Sequence, residues 1–326
     1  MKICADTASS LYFRIVEVID LKNTLFATGE ALIDFIPNKY GCDFSEVTAF
    51  SPKTGGAPAN VLGAFAKLGG KTQLCTQLGC DPFGDRLLSA FKKFNIGTQF
   101  ISRTSEANTA LAFVSLDSSG ERTFSFYRNP SADMLYTADN LKKSDFEDCF
   151  ALHFCSVSLG CFPMKDAHRR AIEFAKQNGA IISFDPNLRF PLWKNKADLK
   201  AAINEFLPYA DIVKISDEEL PFITESNNAQ EGCRKLLKTA KLVLYTCGAD
   251  GAYAYTNKAY AYSSAEKVKA LDTTGSGDAF CGSFLYSLYS NGVDAQSLTE
   301  LSENELRSFL SASNKYCGKC VQRLAR

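Results

Sequence analysis

The stretch Asp272-Thr273-Thr274-Gly275-Ser276-Gly277-Asp278-Ala279-Phe280 has the residue types and spacing best suited to chemistry in this chain. It is a glycine-rich turn that runs into an apolar segment, Phe280 to Leu288. A helix starting near Ser276 leaves its first backbone N–H groups without intrahelical partners. With the positive end of the helix dipole, those groups make an anion site. Gly275 and Gly277 let main chain approach a phosphate closely, because no Cβ intrudes. Asp278 falls in the first turn, beside that site. A carboxylate there can take a proton from an alcohol while the N–H groups hold the charge building on a transferring phosphoryl group. Taken alone, the same residues also describe an ordinary helix start with an acidic first turn.

Other polar residues stand out against apolar surroundings. Asp34 lies within Ala31–Ile36, where a carboxylate is either at a strand edge or hydrogen-bonded to something specific. Gly55-Gly56-Ala57-Pro58-Ala59-Asn60 precedes Val61, Leu62, Ala64, Phe65 and Leu68 at helical spacing, so a helix starts there with main chain open to a ligand. Asp185-Pro186-Asn187-Leu188-Arg189 closes an apolar run, and Pro186 stops the strand with Asp185 and Asn187 at its mouth. Their oxygens suit hydrated Mg²⁺, and Arg189 can reach a phosphate or substrate. Ser216-Asp217-Glu218-Glu219 has the form of a capping box. Thr246-Cys247-Gly248-Ala249-Asp250-Gly251 is a glycine-rich turn able to lie against a nucleotide. Arg128 follows the apolar stretch Arg122–Tyr127 and is either a substrate contact or a solvent-exposed arginine.

The elements that position these residues follow from periodicity. Leu25–Glu30 reads as a first core strand that Ala31–Ile36 continues, and Gln73–Leu78 as another, followed by a turn through Asp85 and a helix Arg86–Phe94. Thr109–Leu116 and Arg122–Tyr127 flank Asp117-Ser118-Ser119-Gly120, which has hairpin-turn composition. From Ala151 onward, short apolar runs alternate with helical stretches: Ala151–Leu159, Ala180–Phe184, Asp211–Ile215 and Lys241–Thr246, with helices Pro163–Gln177 and Lys196–Phe206 between. That alternation predicts an α/β fold, with a parallel sheet covered by helices on both faces. Its ligand crevice lies at the carboxyl ends of the strands, where Asp185, Asn187, Glu219 and Gly248 fall. Glu305–Val321 reads as a last helix.

With 326 residues and 46% hydrophobic content, the chain can bury a large core. Lys plus Arg and Asp plus Glu each total 36, so no bulk charge favours nucleic acid or a membrane surface. No apolar run is long enough to span a bilayer. The 12 cysteines are scattered through apolar segments and read as reduced, buried thiols of a cytoplasmic protein. Cys317 and Cys320 form a CxxC pair, but with only His153 and His168 in the chain it lacks further metal ligands.

Taken together, these ordered motifs resemble the ribokinase-like (PfkB) sugar kinases over residues 25–326, with residues 1–24 an N-terminal extension. The family signature reads Asp-Thr-Thr-Gly-Ala-Gly-Asp-Ala-Phe; here Ser276 replaces the alanine. The resemblance implies a three-layer sandwich with a mostly parallel central sheet and a small β lid, its strands from about 31–54 and 104–130. It implies ATP, Mg²⁺ and a monovalent cation such as K⁺ as ligands. Asp278 becomes the catalytic base, with the Gly275, Ser276, Gly277 and Asp278 backbone as anion hole. Asp34, Gly55, Gly56, Asn60, Arg128 and Arg189 become sugar contacts, and Thr246, Gly248, Gly251 and Asn314 nucleotide contacts. Asp185, Asn187 and Glu219 handle Mg²⁺, Glu219 through water, although Ser216 stands where the family's Asn-x-x-Glu motif has asparagine. Asp272 and Thr274 match the monovalent-cation positions. The family usually continues beyond the position of Arg326, so a less enclosed nucleotide side is expected. The segments Phe126–Asp133 and Asp185–Arg189 are similar to those of fructokinases, implying fructose as substrate. A 2-keto-3-deoxygluconate kinase, with Arg128 or Arg189 meeting the acid, and a non-catalytic kinase-like binding protein are the alternatives. A lid edge strand can also pair with a second copy to form a homodimer.

Overall fold

The computed structural model describes residues 22–39, 41–42, 44–116, 122–269 and 273–322. The chain begins with β1 (Thr24–Thr28), β2 (Leu32–Pro37) and β3 (Phe50–Gly55), then α1 (Ala57–Lys67), β4 (Lys71–Gly79) and α2 (Pro82–Lys93). Three strands follow: β5 (Ile101–Thr104), β6 (Ala110–Leu116) and β7 (Arg122–Tyr127). Strands and helices then alternate through β8 (Cys149–Cys155), α3 (Met164–Gln177), β9 (Ile181–Asp185), α4 (Lys196–Phe206) and β10 (Ile212–Ser216). The series runs on through α5 (Leu220–Thr224), α6 (Ala229–Leu236), β11 (Leu242–Thr246), β12 (Ala252–Tyr255) and β13 (Tyr260–Ser263). It ends with α7 (Ser276–Ser290) and α8 (Glu303–Val321).

Nine of these strands form one sheet in the order β13-β12-β11-β10-β9-β8-β1-β4-β5. It is parallel from β5 to β11, and only β12 and β13 run antiparallel. Alternate residues of each strand serve opposite faces, as the period of two requires. Leu25, Ala27, Ile181, Ile212, Leu242 and Leu244 pack with Val61, Leu62 and Phe65 of α1, Phe284 of α7 and Leu310 of α8. Phe26, Ile182, Val213, Val243 and Tyr245 pack on the other side with Ala171 of α3, Ile203 of α4 and Leu236 of α6. These two apolar layers make the three-layer α/β sandwich expected from the alternating runs.

The remaining four strands form a second sheet, ordered β3-β2-β6-β7. Here the expectation that Ala31–Ile36 continues the first strand is corrected. The chain leaves the large sheet after Thr28, and Leu32–Pro37 pairs instead with β3 and β6. The turn sits at Gly29, whose φ of 148° and close approach to Pro58 suit only glycine. Apolar residues resume at once on the far side of Thr28-Gly29-Glu30, so the two strands read as one segment. Two helix starts also lie earlier than expected. α2 begins at Pro82, because Asp81 accepts hydrogen bonds from Phe83 N (3.0 Å) and Gly84 N (2.9 Å). α8 begins at Glu303 behind a Ser302–Glu305 capping box. The expected hairpin turn at 117–120, and residues 1–21 of the expected extension, lie outside the described residues. Thr24, expected in that extension, is the first residue of β1. No described helix is long and apolar enough to cross a membrane.

Candidate active site

Two helices bring the central pair together. α1 and α7 lie side by side, and Asn60 Nδ2 of α1 donates to Asp278 Oδ2 of α7 at 2.9 Å. Gly275, with φ of 71°, ends the preceding turn in the left-handed region, and no side chain caps α7. Ser276 N donates back to Thr273 O at 3.1 Å, and no side-chain cap occupies the rest of the opening turn. Burial pushes the half-buried Asp278 carboxyl above the usual aspartate range. The Asn60 amide and the Arg189 and Lys214 charges pull it back, while Glu219 adds to the rise. Next to α1, a Cβ on Gly55 would lie 2.8 Å from Asp34 Cγ, so glycine is needed for the Asp34 carboxylate to sit there. Gly55, Gly56 and Asn60 thus lie on one stretch of chain leading to Asp278, with Asp34 of β2 beside Gly55.

Beneath the start of α7 lies a cluster that sequence reasoning described only in part. Asp185 Oδ2 meets Lys214 Nζ at 3.0 Å, with both side chains buried. A Cβ on Gly277 would lie 3.2 Å from that same ammonium. Burial disfavours the Lys214 ammonium, but Asp185 and Glu219 outweigh it and raise its pKa. Burial also pushes the Asp185 carboxyl up, to about 7, against the pull of Lys214. Lys214 was missed, although a lysine inside the apolar run Ile212–Ile215 was a usable signal, since such residues stay buried only when paired. Glu219 accepts from Leu188 N (2.8 Å) and Ser216 N (2.9 Å), and Ser216 Oγ accepts from Glu219 N, so the reciprocal bonds of a capping box form, but across the turn before α5, whose N-cap is Glu219 rather than Ser216. Asn187 is buried with φ of 45°, and its N–H donates to Asp185 Oδ1. Arg189 lies within electrostatic reach of Asp278, its guanidinium 6.0 Å from the Phe124 ring of β7.

The described residues contain no group of three or more acidic, histidine or cysteine side chains able to cage a metal. A donor set this sparse is compatible with an ion held chiefly by phosphate oxygens and water. Of the two expected monovalent-cation positions, Asp272 lies outside the described residues, and Thr274 is exposed at the turn before α7.

Arg128 is neither an exposed arginine nor a free substrate cation. It forms a buried ion pair with Asp133 and donates to Val157 O (3.2 Å) and Ser158 Oγ (3.1 Å). Among the expected nucleotide residues, Gly248 and Gly251 have φ of 51° and 104° and shape the turn after β11. Thr246 Oγ1 donates to Ile215 O. The Asn314 amide donates to Ser263 O (2.8 Å) and Ser264 O (3.1 Å), so it anchors the chain after β13. Both histidines are fully buried, and burial lowers them to about 3, too weakly basic to serve as general bases. Every described cysteine is free, but Cys80 and Cys161 are exposed, unlike the buried thiols expected. Cys317 of the CxxC pair donates to Ser276 O at 3.3 Å.

A second residue was missed. Glu30, at the corner between β1 and β2, is buried, and burial raises its carboxyl to about 7. Its Oε1 accepts from Ala57 N at 3.1 Å, capping α1 where Gly56 has no side chain to do so.

Known proteins share this architecture. The chain is 41% identical over 301 residues to probable fructokinase-2 of Arabidopsis thaliana, covering 92% of this chain and 90% of the relative. The crystal structure of fructokinase with bound ATP from Xylella fastidiosa superposes with a TM-score of 0.84 at 36% identity, covering 94% of each chain. Fructokinase from Vibrio cholerae, in a fructose-, ADP- and calcium-bound form, superposes with a TM-score of 0.81 at 31% identity, covering 93% of this chain and 94% of that one. Residues 22–301 match the model of the pfkB family carbohydrate kinases. Fold, signature helix and relatives converge, and the chain belongs to the pfkB family of carbohydrate kinases.

Proposed function

We propose that the protein phosphorylates a hydroxyl of D-fructose with ATP, giving fructose 6-phosphate and ADP, with Asp278 as general base. The observation that carries this is the Asn60–Asp278 hydrogen bond at 2.9 Å, which holds a carboxylate in the uncapped first turn of α7. Asp278 takes the hydroxyl proton, the sugar oxygen forms its bond to the γ-phosphorus, and the bond to the departing ADP oxygen breaks. The N–H groups of Gly275 to Asp278 stabilise the charge spreading over the transferring group. Asp34, Gly55, Gly56 and Asn60 hold the sugar, and the small sheet closes over it to exclude water. Thr246, Gly248 and Gly251 flank the nucleotide. Magnesium, when bound, neutralises phosphate charge. The free thiols suit a reducing compartment such as the cytoplasm.

The fructokinases among the relatives support a neutral hexose, and so does Arg128. With its guanidinium committed to Asp133, Arg128 is not free to receive a sugar acid, and Lys214 is paired with Asp185, which leaves Arg189 as the candidate. An assay of ATP consumption over a panel of sugars and sugar acids separates fructose from 2-keto-3-deoxygluconate. Asp278→Asn is expected to fold normally and lose at least about 100-fold in kcat, the usual share of a general base. Near-normal fructose phosphorylation by that variant refutes the assignment.

A further inference from the structure

Buried charge runs from the end of β7 to the start of α1 through atoms that the reaction itself does not use. The Arg128 guanidinium is fixed by Asp133, whose other carboxylate oxygen accepts from Ser131 Oγ. Arg128 Nη2 also donates to Ser158 Oγ at 3.1 Å, and Ser158 Oγ donates to Glu30 Oε2 at 3.3 Å. Glu30 Oε1 then accepts from Ala57 N at 3.1 Å. Glu30, Ser131, Asp133 and Ser158 are each 3% exposed or less. From Ala57 it is one helical turn to Asn60, which holds Asp278. Gly56 adds a steric lock, since a Cβ there would lie 2.5 Å from Glu30 O.

We infer that Glu30, Ser158 and Arg128 form a buried clasp tying the base of the small sheet to the Gly55–Asn60 segment, with Glu30 as a positioning residue for the sugar. Both Glu30 oxygens accept, one from each side of the clasp, and a carboxylate does this while also presenting charge toward Arg128. A shift of β7 therefore reaches Ala57 through a charge-assisted chain rather than through apolar packing. The consequence for turnover rests on the sugar-kinase reading above; the mechanical link does not.

The test uses the full chain with Glu30→Gln and Ser158→Ala. Glutamine keeps the volume but turns one N–H toward a donor or gives up the charge facing Arg128. Ser158→Ala cuts only the bridge and leaves Arg128 paired with Asp133. Amide hydrogen exchange is read at Ala57–Asn60 and in β2 and β6, with α3 as internal control, and the KM for fructose and for ATP is measured beside it. Both variants are expected to speed exchange at Ala57–Asn60 and in the small sheet while α3 keeps its wild-type rate. The fructose KM is expected to rise about tenfold in Glu30→Gln, the equivalent of one charge-assisted hydrogen bond, with the ATP KM unchanged. Unchanged exchange at Ala57–Asn60 in both variants overturns the clasp, as does an equal acceleration that includes α3. The segment-specific exchange pattern in a protein that phosphorylates no sugar upholds the clasp and overturns the proposed function instead.

Discussion

Gly282→Ala tests how the site is assembled without touching any reacting group. Gly282 lies inside α7, where glycine costs about 0.5–1 kcal/mol relative to alanine through backbone entropy. By that term alone, the substitution stabilises. The structure opposes it: a Cβ at Gly282 would press into the Val61 carbonyl oxygen and lie 2.8 Å from Ala64 Cβ, both on α1. Neither is the free end of a flexible side chain, so the helices themselves must part. Overpacking of that kind costs about 1–3 kcal/mol, which exceeds the propensity gain. The net expectation is a loss of about 1–2 kcal/mol and a melting temperature lower by roughly 1.5–3 °C. Val61 follows Asn60 directly, so the same displacement carries Asn60 away from Asp278, now 2.9 Å apart. A misplacement approaching 1 Å at a reacting group can cost about 100-fold, so kcat should fall by roughly 10- to 100-fold. Thermal unfolding and steady-state kinetics on the purified variant read both quantities. A variant that melts higher than wild type and turns over normally refutes the reasoning.

Two other expectations concern charge. Lys214→Met leaves Asp185 buried without its partner, which should cost about 3–5 kcal/mol in chemical denaturation. Because Lys214 also draws the Asp278 pKa down, the acid limb of kcat/KM should move to higher pH in that variant; an unmoved limb argues against electrostatic contact between them. In the wild type, Asp278 must be ionised to accept a proton and its pKa is raised, so activity should fade, as pH drops, above the ordinary aspartate value of about 3.9. His153 and His168 are held at about 3 by burial, below the unfolded value of about 6.5. Above about 6.5 they add no pH dependence; below it the unfolded chain binds more protons, and each histidine removes up to about 1.4 kcal/mol of stability per pH unit. Replacing both with neutral residues should flatten the denaturation midpoint between about pH 6 and pH 4, and an unchanged slope would show that other groups govern it.

What the linear chain determined is whatever depends on near neighbours. Apolar runs alternating with amphipathic stretches required a parallel sheet covered on both faces, because each run has to bury two sides. Asp278 beside Gly275 and Gly277 was legible because a turn, a helix start and an acid in its first turn span only a few residues. The Ser216–Glu219 box was legible for the same reason. Tertiary structure decided where partners come from distant elements. The change of sheets after Thr28 was hidden because apolar residues flank Gly29 on both sides, and the turn is fixed by the contact of Gly29 with the distant Pro58. Arg128 is paired rather than free because Asp133, Val157 and Ser158 converge on it. Lys214 and Glu30 acquired their roles from Asp185 and Ala57. A charge can stay in the interior only where folding has brought it an opposite charge or a donor, and that pairing is a property of the packed chain rather than of spacing along it.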